Sequence, residues 1–81
     1  MFYFYTLRSL KDSNLYYGYT SDLTKRFNQH NDGLVKSTKH RRPLQLVYYE
    51  AYTDEKQARA REAMFKNSSS ARKNLYNRLG V

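Results

Sequence analysis

Four side chains in this sequence carry groups that could act together on a phosphodiester bond. Tyr16 and Arg26 lie ten residues apart in the stretch YYGYTSDLTKRFNQHN, across what reads as a strand, a tight turn and a helix start. Tyr5 lies eleven residues before Tyr16 in an aromatic strand, and Glu62 falls on the expected buried face of a later helix. A carboxylate can hold a divalent cation, a guanidinium can clamp a phosphate, and a phenol can orient a water molecule.

Glu62 is the sharpest of these signals. It follows Ala58 by four residues and precedes Phe65 by three, so helical spacing places it on the apolar stripe of its helix. A carboxylate buried there is costly unless it is paired or bound to a metal. A salt bridge to Arg26 or Arg59 explains it as well as a metal does.

The other candidates each have a structural interpretation beside the functional one. Tyrosine is common in strands, and this chain has nine of them. Arg26 on a helix is usually a solvated charge. His30 is either a core histidine with a hydrogen-bonded ring or a partner of the site. His30 and His40 together lack the i, i+4 spacing and the acidic neighbours of a zinc site.

The elements that must position these residues follow from periodicity. Phe2–Leu7 and Leu15–Tyr19 are aromatic runs separated by a polar cluster, which predicts a β-hairpin. Because side chains alternate along a strand, Tyr3 and Tyr5 share one face of the first strand, and Tyr16 and Gly18 share one face of the second. The turn register is not readable, so whether the two faces coincide stays open.

Helix and strand boundaries are predicted from capping residues. Thr20 or Ser21 should cap a helix that has Asp22 in its first turn. This helix is expected to end near 31–33. A third strand is expected over 44–51, after Pro43. Asp54 and Gln57 form a candidate capping box for a helix that runs to about Lys66. Ala71–Leu79 should be a last helix, capped from the serines at 68–70.

A strong positive charge favours a polyanionic partner. Fifteen Lys and Arg against seven Asp and Glu give a net charge of +8. A basic loop is expected to track phosphates through Lys36, Lys39, His40, Arg41 and Arg42. No apolar run is long enough to span a membrane and no targeting segment is evident, so an intracellular, cytoplasmic protein is expected, with nucleoid association open. The absence of cysteine excludes disulfides and thiolate metal sites.

In order and spacing, these residues resemble the GIY-YIG nuclease domain family, particularly its small stand-alone, excision-repair-subunit-C-like members. The likeness runs from Phe2 to about Lys66. The first family tripeptide corresponds to Tyr3–Tyr5, which keeps only the final Tyr, and the second to Tyr16–Gly18, which keeps its first and last residues. The segment KSTKHRRPLQLVYYE looks like the middle of the small members. The carboxy-terminal Asn of the family has three candidates, Asn67, Asn74 and Asn77.

The resemblance implies an α+β fold over 1–81: a small three-stranded antiparallel sheet flanked by about three helices. It implies an endonuclease that hydrolyses DNA with one divalent cation, Mg²⁺ or Mn²⁺, held by Glu62, and no small-molecule cofactor. Tyr5 would lie near the attacking water and Tyr16 on the phosphate or the water network, although these roles are exchangeable. Arg26 would clamp the phosphate and His30 would bond a tyrosine hydroxyl or the phosphate.

Two other interpretations compete with this one. A nucleic-acid-binding module of the same fold, without turnover, would keep the charge but has no need of a metal carboxylate. A basic membrane-surface or protein-interaction domain would need an amphipathic basic helix, and none is evident. A single basic loop and no second DNA-recognition domain favour single-stranded or structured DNA.

Overall fold

The chain folds into one antiparallel sheet with helices on both faces. The computed structural model describes residues 1–80. The elements in chain order are β1 (Phe2–Ser9), β2 (Leu15–Thr20), α1 (Leu23–Asn31), β3 (Leu44–Tyr52), α2 (Glu55–Asn67) and α3 (Ser69–Leu79). The spatial strand order is β2-β1-β3, and a short 3₁₀ turn, Lys39–Arg41, precedes β3. This architecture confirms the predicted α+β class. No helix within residues 1–80 is long and apolar enough to cross a membrane.

The pairing of β1 with β2 settles the face question that the sequence left open. Tyr5 pairs with Gly18, and Leu7 pairs with Tyr16. Because paired residues and residues two apart point to the same side of a sheet, both tyrosines lie on one face. On the other side of β1, Tyr5 pairs with Tyr49 of β3, which extends this row across the whole sheet.

Each face of the sheet has its own small core. On the Tyr5 face, Tyr5, Leu7 and Leu44 are buried together, and Leu23 and Phe27 of α1 pack against them. Apolar residues at i and i+4 of α1 therefore hold that helix on the sheet. The position of α1 over this face fixes where its polar side chains emerge.

The opposite face carries an aromatic core. Phe4 and Tyr17 pack against Phe65 of α2 and Leu75 of α3. The rings of Phe4 and Phe65 are nearly parallel, with centroids 4.8 Å apart. Such aromatic pairs add about 0.5–1.5 kcal/mol beyond their area burial. This core anchors α2, the helix that carries Glu62.

The caps of α2 and α3 agree with the sequence, but the predicted cap of α1 was wrong. Asp22 itself is the N-cap residue, and its carboxylate accepts a hydrogen bond from the backbone N–H of Lys25 at 3.1 Å. Thr20 instead accepts from the Asp22 backbone N–H at 3.1 Å. Asp54 caps α2 by accepting from the Lys56 backbone N–H at 2.9 Å, without the reciprocal Gln57 bond of the predicted capping box, and Ser68 caps α3. The last helix therefore begins at Ser69, two residues before the predicted start.

A polar cluster that the sequence analysis missed ties β3 to α2. Arg61 donates two hydrogen bonds to the Glu50 carboxylate, at 2.7 and 2.8 Å, and Tyr48 and Tyr52 donate to the same group. Burial opposes ionisation of Glu50, but these hydrogen bonds outweigh it and lower its pKa to about 2. Glu50 lies on the face away from Tyr5 and so takes no part in the site below.

Candidate active site

A cleft of about 650 Å³ opens on the Tyr5 face of the sheet, near β2. Four of the five residues predicted to act in catalysis line it: Tyr5 from β1, Tyr16 from β2, Arg26 from α1 and Glu62 from α2. Four separate elements thus bring these side chains to one place. The fifth residue, His30, is fully buried.

Gly18 gives the Tyr5 ring its position. A Cβ atom at residue 18 would lie 2.5 Å from the Tyr5 hydroxyl oxygen and 2.6 Å from its Cζ atom. Contacts that short are incompatible with any side chain, so only glycine lets the phenol cross β2 to reach the cleft. The last Gly of the second tripeptide therefore has a steric role.

Both interpretations of His30 that the sequence left open, a core histidine and a partner of the site, apply. It is a core histidine, and it is also the partner of a site tyrosine, because its Nε2 atom lies 2.8 Å from the Tyr5 hydroxyl oxygen. Its Nδ1 atom lies 2.7 Å from Oγ1 of Thr38, which is likewise buried. A continuous hydrogen-bonded path therefore runs from the cleft through Tyr5 and His30 to Thr38.

Burial sets the protonation states of Tyr5 and His30 in this path. It raises the pKa of Tyr5 to about 12, although the Arg26 guanidinium acts in the opposite direction. Burial also lowers the pKa of His30 to about 4, and the positive charge of Arg26 adds to that effect. At neutral pH both groups are therefore uncharged, and the Tyr5 phenol keeps its proton.

Glu62 is paired, but with neither of the arginines considered from the sequence. Lys66 Nζ lies 3.4 Å from a Glu62 carboxylate oxygen, one helical turn later, and 5.9 Å from the centroid of the Tyr16 ring. Arg59 lies over the ring of Tyr19 instead, at 6.0 Å. The Glu-to-Lys i,i+4 spacing was the signal that would have identified Lys66. Because the Glu62 side chain keeps 22% exposure, it remains accessible from the cleft.

Two cations of α1 face the same cleft. Arg26 and Lys25 both line it, and Arg26 donates a hydrogen bond to the Gln29 side chain at 3.3 Å. Lys25 was not predicted, although its position next to Arg26 at the start of a helix was a usable signal. Positive charge therefore borders the cleft from α1, and Lys66 approaches Tyr16 from α2.

The donor set of the cleft suits a hard cation rather than zinc. Glu62 and Asp22 are its two carboxylates, and Asp22 already caps α1. In the described part of the chain, no group of three His, Cys, Asp or Glu is placed to hold a metal. Mg²⁺ is commonly held by one or two carboxylates, with waters and substrate phosphates completing its shell. Glu62 fits that description.

The basic loop runs from the cleft to the turn of the hairpin. At its near end, the Ser37 hydroxyl donates to the Tyr16 hydroxyl oxygen at 3.3 Å. At its far end, Arg41 pairs with Asp12 at 3.3 Å, and its backbone carbonyl accepts from Ser9 at 2.7 Å. Arg41 therefore fastens the loop to the hairpin.

The other predicted loop residues are exposed to solvent. They are Lys36, Lys39, His40 and Arg42. Arg42 donates from Nε to the Lys39 carbonyl at 2.8 Å, which leaves its terminal nitrogens beside Gly33. Asn67, Asn74 and Asn77, the candidates for the family's carboxy-terminal Asn, do not line the cleft.

Comparisons with known proteins show which family this chain resembles. A family model described as the GIY-YIG catalytic domain matches residues 1–77. A UPF0213 protein of Bacillus pumilus is 43% identical over 75 residues, covering 91% of this chain and 76% of that protein. The UPF0213 protein YazA of Bacillus subtilis is 41% identical over 75 residues, covering 91% and 75%. The solution NMR structure of a UPF0213 protein from Bacillus halodurans matches with a TM-score of 0.59 and 33% identity, covering 98% of this chain and 85% of that one. The chain therefore belongs to the GIY-YIG catalytic domain family, as the order of its motifs predicted.

Proposed function

We propose that this chain is a metal-dependent endonuclease that hydrolyses phosphodiester bonds in DNA. The observation that supports the proposal most is the convergence of Tyr5, Tyr16, Arg26 and Glu62, from four different elements, on one cleft. Family membership supports the same reaction class. The net charge of +8 supports a nucleic-acid substrate.

Arg26 holds the scissile phosphate in this proposal. Its guanidinium is permanently charged and can donate two parallel hydrogen bonds to phosphate oxygens. Lys25 adds a second positive charge from the same helix. These two cations are the groups of the cleft that attract the anionic phosphate.

Tyr5 and His30 handle the proton of the attacking water. With the His30 proton on Nδ1 and donated to Thr38, Nε2 accepts a hydrogen bond from the Tyr5 hydroxyl. The Tyr5 oxygen then accepts the proton of the water while its own proton moves to Nε2. Burial is the main cause of the low pKa of His30, and the charge of Arg26 adds to it; a substrate phosphate paired with Arg26 removes that second contribution and so favours the transfer.

Tyr16 and Glu62 complete the site. The Tyr16 hydroxyl accepts from Ser37 and donates its own proton to a phosphate oxygen. Glu62 would hold Mg²⁺ or Mn²⁺ through its carboxylate, which in this structure lies 3.4 Å from the ammonium group of Lys66. Bound there, the cation would stabilise the negative charge that develops on the phosphoryl and leaving oxygens.

A cleavage assay with matched variants tests the proposal. Labelled single-stranded and duplex DNA are incubated with the chain in Mg²⁺, in Mn²⁺ and in excess chelator. We expect cleavage with metal only, and a loss of roughly 100-fold or more in Glu62→Gln and Tyr5→Phe. Glu55→Gln, which alters an exposed carboxylate on the same helix, should cleave like the unaltered chain.

Each other outcome has a defined meaning. DNA binding without cleavage in any metal would favour the rival function, a binding module with the same fold. Cleavage that survives the chelator or the Glu62 substitution would refute the metal role of Glu62. Full cleavage by Tyr5→Phe would refute the proton path.

A further inference from the structure

Tyr49 is a large aromatic residue exposed to solvent on the Tyr5 face of the sheet. Its side chain is 54% exposed, and it belongs to β3, an edge strand of the sheet. Its ring packs edge-on against Tyr3, with centroids 6.2 Å apart. A single exposed aromatic needs no explanation, but a braced pair on the same sheet face as a charged cleft does.

The sheet register places Tyr49 next to the proposed chemistry. Tyr49 is the direct partner of Tyr5 across β1 and β3, so their Cβ atoms are about 5 Å apart on the same face. The Tyr5 ring points the other way, toward Gly18 and the cleft. The sheet face on the Tyr49 side of Tyr5 therefore presents aromatic surface rather than a catalytic group.

The charges around Tyr49 suit a polyanion. Strand alternation sends Glu50 to the opposite face, where Arg61 neutralises it. The cleft carries Arg26 and Lys25, and its two carboxylates are already engaged, one as the cap of α1 and the other in an ion pair. A chain of phosphates held by these cations would therefore pass Tyr49 without meeting a carboxylate of β3 on that face.

We propose that Tyr49, braced by Tyr3, is a stacking platform for one unpaired nucleobase of the strand whose phosphate lies in the cleft. Aromatic side chains on an open sheet are a recurring means of holding single-stranded nucleic acid, since every base has a face to stack. In a duplex both faces of each base are already stacked. The platform therefore selects single-stranded or locally unpaired DNA, and this inference rests on the proposed function.

Binding without cleavage tests the platform. The affinity of the chain for a fluorescent single-stranded oligonucleotide is measured in excess chelator, so that no turnover is required. We expect Tyr49→Ala to weaken binding about 5- to 150-fold, the range of one base-to-aromatic stack. Tyr49→Phe, which keeps the ring, should bind within about twofold of the unaltered chain. Leu10→Ala, at another exposed apolar side chain in the hairpin turn, is the matched control and should change nothing.

Two comparisons make the test specific. The Tyr49→Ala loss should be absent on the fully paired duplex, and it should shrink when a single abasic position in the oligonucleotide removes the stacked base. Unchanged single-strand affinity in Tyr49→Ala would overturn the proposal, as would an equal loss on duplex. A dimer that dissociates on Tyr49→Ala, seen by sedimentation, would also overturn it and would make this face an interface between copies.

The platform and the nuclease can fail separately. A chain that binds single strands through Tyr49 but never cleaves would keep the platform and refute the nuclease. A chain that cleaves with metal but is indifferent to Tyr49 would do the reverse.

Discussion

Replacing Gly18 by alanine should damage both the stability and the site of this protein. The new methyl carbon would lie 2.5 Å from the Tyr5 hydroxyl oxygen and 2.6 Å from Cζ. Tyr5 is only 2% exposed, so its ring cannot move aside into solvent without leaving its place in the core. Any movement also stretches the 2.8 Å contact with His30.

The expected cost has two parts. Overpacking a well-packed core costs about 1–3 kcal/mol. Losing a buried hydrogen bond such as that between Tyr5 and His30 adds about 1 kcal/mol. The total of about 2–4 kcal/mol is a large part of the roughly 4–12 kcal/mol that a chain of this length holds. The unfolding midpoint should therefore fall by roughly 10–30 °C.

A double-mutant cycle read by urea or thermal unfolding checks this reasoning. Tyr5→Leu removes the Cζ and hydroxyl atoms that the new methyl would strike, so Gly18→Ala in that background should cost less than about 1 kcal/mol. An equal cost in both backgrounds would show that the Tyr5 contact is not the cause. A loss below about 0.5 kcal/mol in the Gly18→Ala single variant would show that the strand adjusts without strain.

Three further predictions concern other parts of the molecule. Glu50→Gln should lower the free energy of unfolding by about 1–3 kcal/mol at pH 7. It should also remove the loss of stability that the unaltered chain shows as the pH falls from about 4.5 to 2. Urea unfolding curves of the variant and the unaltered chain that overlap would contradict this. Because the folded-state pKa of His30 is about 4, below its usual 6.5, its contribution is full above about pH 6.5 and is lost as the pH falls toward 4. The unaltered chain should therefore lose about 2–3 kcal/mol more than His30→Gln between pH 7 and 4.5, and parallel pH profiles would refute the buried neutral imidazole. Replacing Lys36, Lys39 and Arg42 by alanine should reduce the slope of log affinity against log salt by up to about 0.7–0.9 per residue, whereas an unchanged slope would remove the loop from the interface.

Local pattern was enough to predict the strand and helix faces on which the candidate residues lie. Period two along β1 and β2 gave each tyrosine its strand face, and helical spacing placed Glu62 on the inward side of α2. Whether the tyrosine faces coincide depends on the hairpin register. The turn sets that register through backbone geometry such as the positive φ of 63° at Ser13, which sequence pattern does not reveal.

Contacts between distant segments were harder to predict. Thr20, Ser21 and Asp22 are all of residue types that favour an N-cap position. The path of the backbone out of β2 determines which of them becomes the N-cap residue of α1. Period two would have grouped Tyr48 with Glu50 on one face of β3. Their partner Arg61 comes from another element, so only the packed structure identifies it.

Arg41 illustrates the same limit for charges. Its sequence neighbours suggested a phosphate contact, yet its side chain pairs with Asp12, 29 residues away along the chain. Arg41 is therefore not among the residues replaced in the triple alanine variant of the loop. Arg41→Ala should instead loosen the attachment of the loop to the hairpin.

The cleavage rates of Glu62→Gln, Tyr5→Phe and the double variant test the central claim most directly. Residues that serve one reaction as a unit have effects that do not multiply. If Tyr5 and Glu62 act on the same phosphodiester, each single variant should lose roughly 100-fold or more, and the double variant should be little slower than the worse single one. A full rate in either single variant, or losses that multiply in the double variant, would contradict a shared site.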